Sequence, residues 1–311
     1  MLKGPRRPGW NWFAEVATRM LKRQVNTAMK ISDVNESRRY LNSVTIRSPA
    51  LSEVNIRPIV RPKFRGGWFF DKNGEPQATV LYLHGGGYSF YPRAYAGFIA
   101  QVTLTAKSRT FALDYRLTPE HRFPAQLEDA LHCYRWLIES GIDPETLVLC
   151  GDSAGGNLAL ALVLAARDSN LPLPSLAVAL SPPTDFDIDV FPNQEFDWIT
   201  KTALLSWRDW FCDSAQRHDP LVSPLRADLR GLPPIYIQAG CCEILYNSIR
   251  TFADHARDQG ADVLLEGWED MTHDFQIFGP DVPQSGDALR RIGEVIAARV
   301  RGRGKKEMIS C

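Results

Sequence analysis

The 311-residue chain has no excess of either charge, because its 36 Lys and Arg balance 36 Asp and Glu. A surface without a basic excess lacks the electrostatic signature of a nucleic-acid-binding protein. The chain also lacks an apolar run of the roughly 18 residues that a membrane span needs. Near the N-terminus, Glu15 and Arg19 interrupt the one stretch that could resemble a signal peptide. We therefore expect no nucleic-acid partner, no membrane span and a cytoplasmic protein.

Cysteine is scarce, and the six cysteines show neither CxxC pairs nor zinc-site spacing. Six are too few for a disulfide scaffold in a chain of this length. We expect a reduced protein that binds no metal. The sequence leaves the oligomeric state open, with a homodimer as one option.

From about residue 78, short β-branched runs alternate with longer helical stretches. The predicted strands are 78–84, 110–114, 146–151, 175–180, 235–239 and 262–266, and the predicted helices are 92–107, 124–140, 154–168 and 247–259. This alternation predicts an α/β fold with a mostly parallel sheet and helices on both faces. Weaker strands at 43–47, 54–60 and 67–70 would form an antiparallel edge.

The connection between the predicted strands that end at Leu180 and begin at Ile235 has 54 residues, where a crossover needs only about a dozen. It is also rich in aromatic residues. A helical cap inserted above the sheet explains both features, and a core helix with crowded rings is the alternative. Apolar residues at helical spacing near the N-terminus suggest a second cap segment. We expect cap segments at 1–42 and 185–215 and a core formed by 43–184 and 216–311.

The motif Gly151-Asp152-Ser153-Ala154-Gly155 lies between a predicted strand and a predicted helix. A serine in this context sits on a sharp turn, with small residues on both sides allowing close backbone approach. The helix dipole behind it favours developing negative charge. Ser153 is therefore the candidate nucleophile.

A second glycine-rich segment, Gly85-Gly86-Gly87, follows the strand 78–84. Its backbone N–H groups can face the oxyanion of a tetrahedral intermediate, and the N–H of Ala154 would complete the hole. A phosphate-binding loop is the alternative, but neither GxxxxGK[ST] nor GxGxxG occurs here.

A hydroxyl nucleophile needs a base and an acid that orients it. Of the six histidines, His273 follows the last predicted strand, and parallel sheets build sites at the carboxyl ends of their strands. Glu243 follows the strand 235–239, between the serine and the histidine, as the order of a hydrolase triad requires. Asp254, Glu266 and Asp270 are the alternative acids.

Five ordered motifs are similar to those of the hormone-sensitive-lipase-like esterases. They are HGGGY (84–88), DYRLTPEHRFPAQLEDA (114–130), GDSAGGN (151–157), DPLVSPL (219–225) and DMTHDF (270–275). The resemblance implies an eight-stranded α/β-hydrolase fold with a helical cap, and hydrolysis of carboxylic esters with short to medium acyl chains without a cofactor. It implies Ser153 as nucleophile, His273 as base and Gly86, Gly87 and Ala154 as oxyanion donors, with Gly85 in the same loop. The family commonly has Asp-Pro-Leu where this chain has Glu243-Ile244-Leu245.

Aromatic residues near the glycine loop and in the expected cap are predicted to form the walls of the substrate pocket: Tyr88, Phe90, Trp198, Trp207 and Phe211. Hydrolysis of lactones, carbamates or amides by the same triad remains an alternative. A non-catalytic small-molecule receptor on this fold is disfavoured, since receptors resembling the family lack the histidine. An epoxide or haloalkane hydrolase would need aspartate in place of Ser153.

Overall fold

One eight-stranded sheet forms the centre of the computed structural model, which describes residues 5–43, 48–187 and 195–304. The strands are β1 (Val54–Val60), β2 (Arg65–Asp71), β3 (Ala78–Leu83), β4 (Ser108–Asp114), β5 (Leu147–Asp152), β6 (Leu176–Leu180), β7 (Ile235–Gly240) and β8 (Val263–Trp268). Their spatial order is β1-β2-β4-β3-β5-β6-β7-β8. The strand β2 is antiparallel to both β1 and β4, and all adjacent pairs from β4 to β8 are parallel. This confirms the predicted mostly parallel sheet with an antiparallel edge.

Only the first residue of the predicted strand at 43–47 is described, and it is helical rather than extended. Ser43 ends a helix, and residues 44–47 lie outside the described residues.

The helices are α1 (Trp12–Ala28), α2 (Val34–Ser43), α3 (Tyr95–Thr105), α4 (Ala125–Glu139), α5 (Ala154–Asp168), α6 (Lys201–Phe211), α7 (Tyr246–Asp258) and α8 (Pro283–Gly304). Alternate side chains of β3 point to opposite faces of the sheet, as strand geometry requires. Leu81 and Leu83 join the core that α4, α5 and α7 cover, whereas Val80 and Tyr82 join the core that α3 and α8 cover. Both faces of the central strands are therefore buried, which explains their continuous apolar sequences.

The long connection between β6 and β7 contains α6, whose first turn is capped by Thr200 accepting from the backbone N–H of Ala203. The N-terminal helix reaches this connection directly. Lys22 of α1 donates to the carbonyl oxygens of Glu195 and Asp197 at 3.4 and 2.9 Å. These contacts bring together the two segments that we expect to form the cap.

The helix α5, which is buried from Ala154 to Ala166, has 15 residues, and about 20 are needed to cross a bilayer. Within the described ranges, no helix is both long enough and apolar enough to span a membrane.

Candidate active site

Ser153 lies on a strained turn between β5 and α5, with φ 49° and ψ −120°. Its N–H donates to the carbonyl of Leu180 at 2.7 Å, which ties the turn to the neighbouring strand. The two flanking glycines allow this close approach. A Cβ on Gly151 would lie 2.2 Å from the carbonyl oxygen of Gly155, and one on Gly155 would lie 1.9 Å from that of Leu83. The strand-turn-helix context predicted for the motif is therefore present.

His273 lies in the loop after β8, and its Nε2 is 2.8 Å from Ser153 Oγ. The ring is fully buried. Two groups of the β6–β7 connection hold the backbone of His273: its N–H donates to Asp197 Oδ1 at 3.1 Å, and its carbonyl accepts from the indole N–H of Trp198 at 2.6 Å. The structure thus brings the predicted hydroxyl and imidazole into hydrogen-bonding distance.

Glu243 lies on the other side of the imidazole, with its Oε2 3.7 Å from His273 Nδ1. This is an ion-pair distance rather than a hydrogen bond. The same oxygen accepts from the hydroxyl of Ser181 at 2.6 Å and from the N–H of Gly240 at 3.3 Å. Burial raises the pKa of Glu243, opposed by the charge of His273 and the Ser181 hydrogen bond.

The three alternative acids contact other groups. Asp254 pairs with Arg257, Glu266 with Arg291, and Asp270 with Arg7. Each carboxylate therefore has a basic partner of its own, which leaves Glu243 as the carboxylate beside Nδ1.

The glycine loop after β3 faces the serine turn, but its three glycines differ. The N–H of Gly85 donates to Asp152 Oδ1 at 3.0 Å, so the expectation that Gly85 contributes to the oxyanion hole is wrong. Gly86 and Gly87 adopt positive φ values of 105° and 59°. A Cβ on Gly87 would lie 2.5 Å from the ring of Trp207, so only glycine fits beneath the indole.

Ser153 opens into a cavity of about 50 Å³. Tyr88 and Trp207, two of the expected pocket residues, line it. The other lining residues are Gly87, Ala154, Pro183, Asp185, Phe186, Leu204, Leu205, Arg208 and Leu245. A larger cavity of about 690 Å³ is lined by charged side chains such as Arg38 and Asp129, and lacks the serine.

The other three residues that are predicted to form the pocket each contact a residue of the site. Phe90 packs edge-on against Trp207, with ring centroids 6.4 Å apart. Phe211 stacks on Tyr88 at 3.9 Å. Trp198 donates its indole N–H to the carbonyl of His273. These three residues are not among those that line the cavity beside Ser153, and their place in a substrate pocket stays a prediction.

Several negative charges surround the imidazole. Burial by itself lowers the pKa of His273, but the charges of Asp274, Glu243 and Asp197 outweigh burial and raise it to about 9. This value replaces the unperturbed range of roughly 6 to 7 that a histidine base suggests.

Sequence reasoning missed Asp197, which is fully buried. Its Oδ1 accepts from the N–H of His273, and its Oδ2 accepts from the N–H of Ile244 at 2.8 Å. One carboxylate therefore links the loop that carries the base to the loop that carries the acid. It lies in the segment Phe196-Asp197-Trp198, where an aspartate between two aromatic residues is the available signal.

Similarity to known proteins identifies the family to which this chain belongs. The family profile of the α/β-hydrolase fold matches residues 80–277. The chain belongs to the hormone-sensitive-lipase-like family of α/β-hydrolase carboxylesterases. It is 36% identical to an acetyl-hydrolase of Streptomyces hygroscopicus over 69% of this chain and 74% of that protein. It is 28% identical to an esterase of Acinetobacter venetianus over 92% of this chain and 96% of that protein.

Solved structures of this carboxylesterase family superpose on most of the chain. An esterase from the bacterial hormone-sensitive lipase family has a TM-score of 0.85 and 31% identity, covering 94% of this chain and 99% of that one. A hormone-sensitive lipase from a metagenome library has a TM-score of 0.85 and 30% identity, covering 92% of this chain and 98% of that one. The protein is thus an enzyme of the carboxylesterase type.

Proposed function

We propose that this carboxylesterase acts through a Ser153–His273–Glu243 triad and an acyl-enzyme intermediate. The observation that carries the proposal is the 2.8 Å distance between Ser153 Oγ and His273 Nε2. A hydroxyl at this distance can pass its proton to the imidazole as it attacks an ester carbonyl. His273 then protonates the leaving alcohol, and water repeats the sequence on the acyl-enzyme.

Glu243 stabilises the imidazolium that forms in both steps. Its distance of 3.7 Å from Nδ1 is long for a hydrogen bond. Catalytic hydrogen bonds are often long without substrate and shorten in the reacting complex. We therefore retain Glu243 as the triad acid despite its departure from the family's aspartate.

The proposed oxyanion hole consists of the N–H groups of Gly86, Gly87 and Ala154. The positive φ values of the two glycines turn this loop beneath Trp207, and Ala154 begins α5 directly after the nucleophile. One such donor contributes on the order of 3 kcal/mol to the stability of the transition state.

The cavity supports esters with short to medium acyl chains as substrates. A water molecule needs roughly 10 to 15 Å³ of such space, so a cavity of about 50 Å³ has room for a small acyl group. Tyr88, Phe186 and Trp207 close it. With p-nitrophenyl esters of increasing length, we expect kcat/KM to be highest for the short chains. Matched lactones and amides would show whether the same site accepts other carbonyl compounds.

Replacing Ser153 by alanine tests the nucleophile. We expect kcat to fall by a factor of roughly 10⁴ or more, because the triad acts as a unit. Ser169→Ala is the matched control, since Ser169 is exposed at the opposite end of α5. Turnover in Ser153→Ala near the wild-type rate would contradict the proposal.

A further inference from the structure

A carboxylate without a role in the proposed reaction lies beside the base. Asp274 is 1% exposed, and its Oδ2 is 3.3 Å from His273 Nε2. Ser153 Oγ lies 2.8 Å from the same nitrogen, whereas Glu243 faces Nδ1. Nε2 of His273, which must take the proton of Ser153, therefore has the carboxylate of Asp274 as a second neighbour.

The backbone fixes Asp274 in this position. It adopts the left-handed conformation, with φ 46° and ψ 36°. Its N–H donates to Ser181 Oγ at 3.1 Å, and that hydroxyl donates to Glu243. Neither carboxylate oxygen of Asp274 has a hydrogen-bond partner among the described residues. A buried carboxylate without hydrogen bonds is costly, so the adjacent imidazole is the group that can stabilise its charge.

The other titratable groups around this pair are acids. Asp152 at the end of β5 and Tyr95 of α3 face Asp274. Glu243 and Asp197 face His273 from the β7 loop and the β6–β7 connection. The charge of Asp152 disfavours an ionised Asp274 next to a neutral imidazole, and the charges of Glu243 and Asp197 favour a protonated imidazole.

We propose that Asp274 is a positioning residue for the base, because its carboxylate holds the Nε2 proton of an imidazolium beside Ser153 in the free enzyme. This inference rests on the proposed function, since it assigns to Asp274 control over the imidazole that activates the serine. The protonated pair is the resting state at neutral pH, and the base becomes free only when this proton leaves. Burial lowers the pKa of His273, and the charge of Asp274 is the largest effect that opposes burial.

The pH profile of kcat/KM tests the assignment in two variants. Asparagine and glycine both adopt the left-handed conformation readily, so Asp274→Asn and Asp274→Gly remove the charge without straining the backbone. With p-nitrophenyl acetate, we expect the midpoint of the acid limb to move to lower pH by about 1 to 3 units in both variants. An unchanged midpoint in both would overturn the proposal.

Asp270→Asn is the matched control. Asp270 lies in the same loop and also has a positive φ, of 62°. Its carboxylate binds Arg7 and the N–H of Gly9 rather than the imidazole. The midpoint of the acid limb should therefore stay at the wild-type value, whatever the rate. A shift equal to that of Asp274→Asn would assign the effect to loss of any charge in the loop and overturn the proposal.

An NMR titration separates this inference from the proposed function. The imidazole of His273 is titrated in Ser153→Ala, with and without Asp274→Asn, and His273→Gln assigns its signal. We expect the imidazole pKa to fall when Asp274 is replaced, and an unchanged pKa would contradict the role of Asp274. Failure of the proposed function would instead appear as undiminished ester turnover in Ser153→Ala.

Discussion

At the scale of single residues, the absence of a Cβ at Gly155 allows the serine turn to form. The backbone of Gly155 lies so close to β3 that a Cβ would be 1.9 Å from the carbonyl oxygen of Leu83. At Gly156, the nearest atoms to a Cβ are 3.1 Å away. The two glycines are adjacent and both buried, but a Cβ would clash with the neighbouring backbone more severely at Gly155 than at Gly156.

Replacing each glycine by alanine should show this difference in the free energy of unfolding. Added volume in a packed core typically costs about 1 to 3 kcal/mol. We expect Gly155→Ala to lie at or above the upper end of this range and to lose esterase activity, because the clash is with backbone. Gly156→Ala should be less destabilised in the same thermal unfolding experiment. Equal stability losses would contradict the explanation given for the motif.

The site residues that the sequence predicts are those whose signal is local. Ser153 and the glycines stand in short motifs, and His273 follows from its place after a strand. The role of Gly85 was misjudged because the sequence does not show that Asp152 accepts its N–H. Asp197 was missed since its partners, His273 and Ile244, are brought to it only by folding.

At the scale of elements, the β6–β7 connection holds both loops that carry the proposed base and acid. Asp197 accepts from a backbone N–H of each loop, and Trp198 donates to the histidine loop. The N-terminal segment also binds the loop that carries His273. Asp270 of this loop accepts from the side chain of Arg7 and from the N–H of Gly9. The alignment of the proposed triad thus depends on segments that lie outside the sheet.

Asp197→Asn should show this dependence. The amide of the introduced asparagine keeps one acceptor oxygen and places an NH₂ group against the second backbone N–H. That N–H loses its hydrogen-bond acceptor. An unsatisfied buried donor costs about 1 to 3 kcal/mol, so we expect kcat to fall roughly 5- to 150-fold with KM little changed. Asp287→Asn is the control, because Asp287 is 60% exposed and pairs with Arg290 on the surface of α8. Wild-type kcat in Asp197→Asn would refute the linking role.

The sheet itself was largely predictable because its central strands are buried on both faces and read as apolar runs. The predicted run 110–114 corresponds to β4 (Ser108–Asp114), and 262–266 to β8 (Val263–Trp268). The place of β4 between β2 and β3 depends on pairing between distant segments. Local patterns do not contain this information, and only the family resemblance implies the eight-stranded α/β-hydrolase fold.

At the scale of the whole molecule, burial of several acids around one imidazole couples stability to pH. Burial raises the pKa of Asp152 to about 7 and that of Glu243 to about 8. Against the effect of burial, nearby carboxylates raise the pKa of His273 to about 9. In all three cases, the folded protein holds protons that the unfolded chain would release at the same pH.

Stability should therefore decrease as pH rises. A raised imidazole pKa stabilises the fold fully below the unfolded value, and this contribution is lost as pH rises through the folded value. The raised carboxyl pKa values act in the same direction, because ionisation of these groups is easier in the unfolded chain. Between about pH 6 and about pH 9, we expect Tm to fall while kcat/KM rises. A Tm that increases over this interval would contradict the assigned environment of the site.

The central claim is that Ser153, activated by His273, carries the acyl group. Rapid mixing with p-nitrophenyl acetate, acid quenching and peptide mass spectrometry locate the acetyl group directly. The account predicts acetylation of Ser153 in the wild type and its loss in His273→Gln. Turnover without an acetyl group on Ser153, or with the group on another residue such as Cys242, would contradict it.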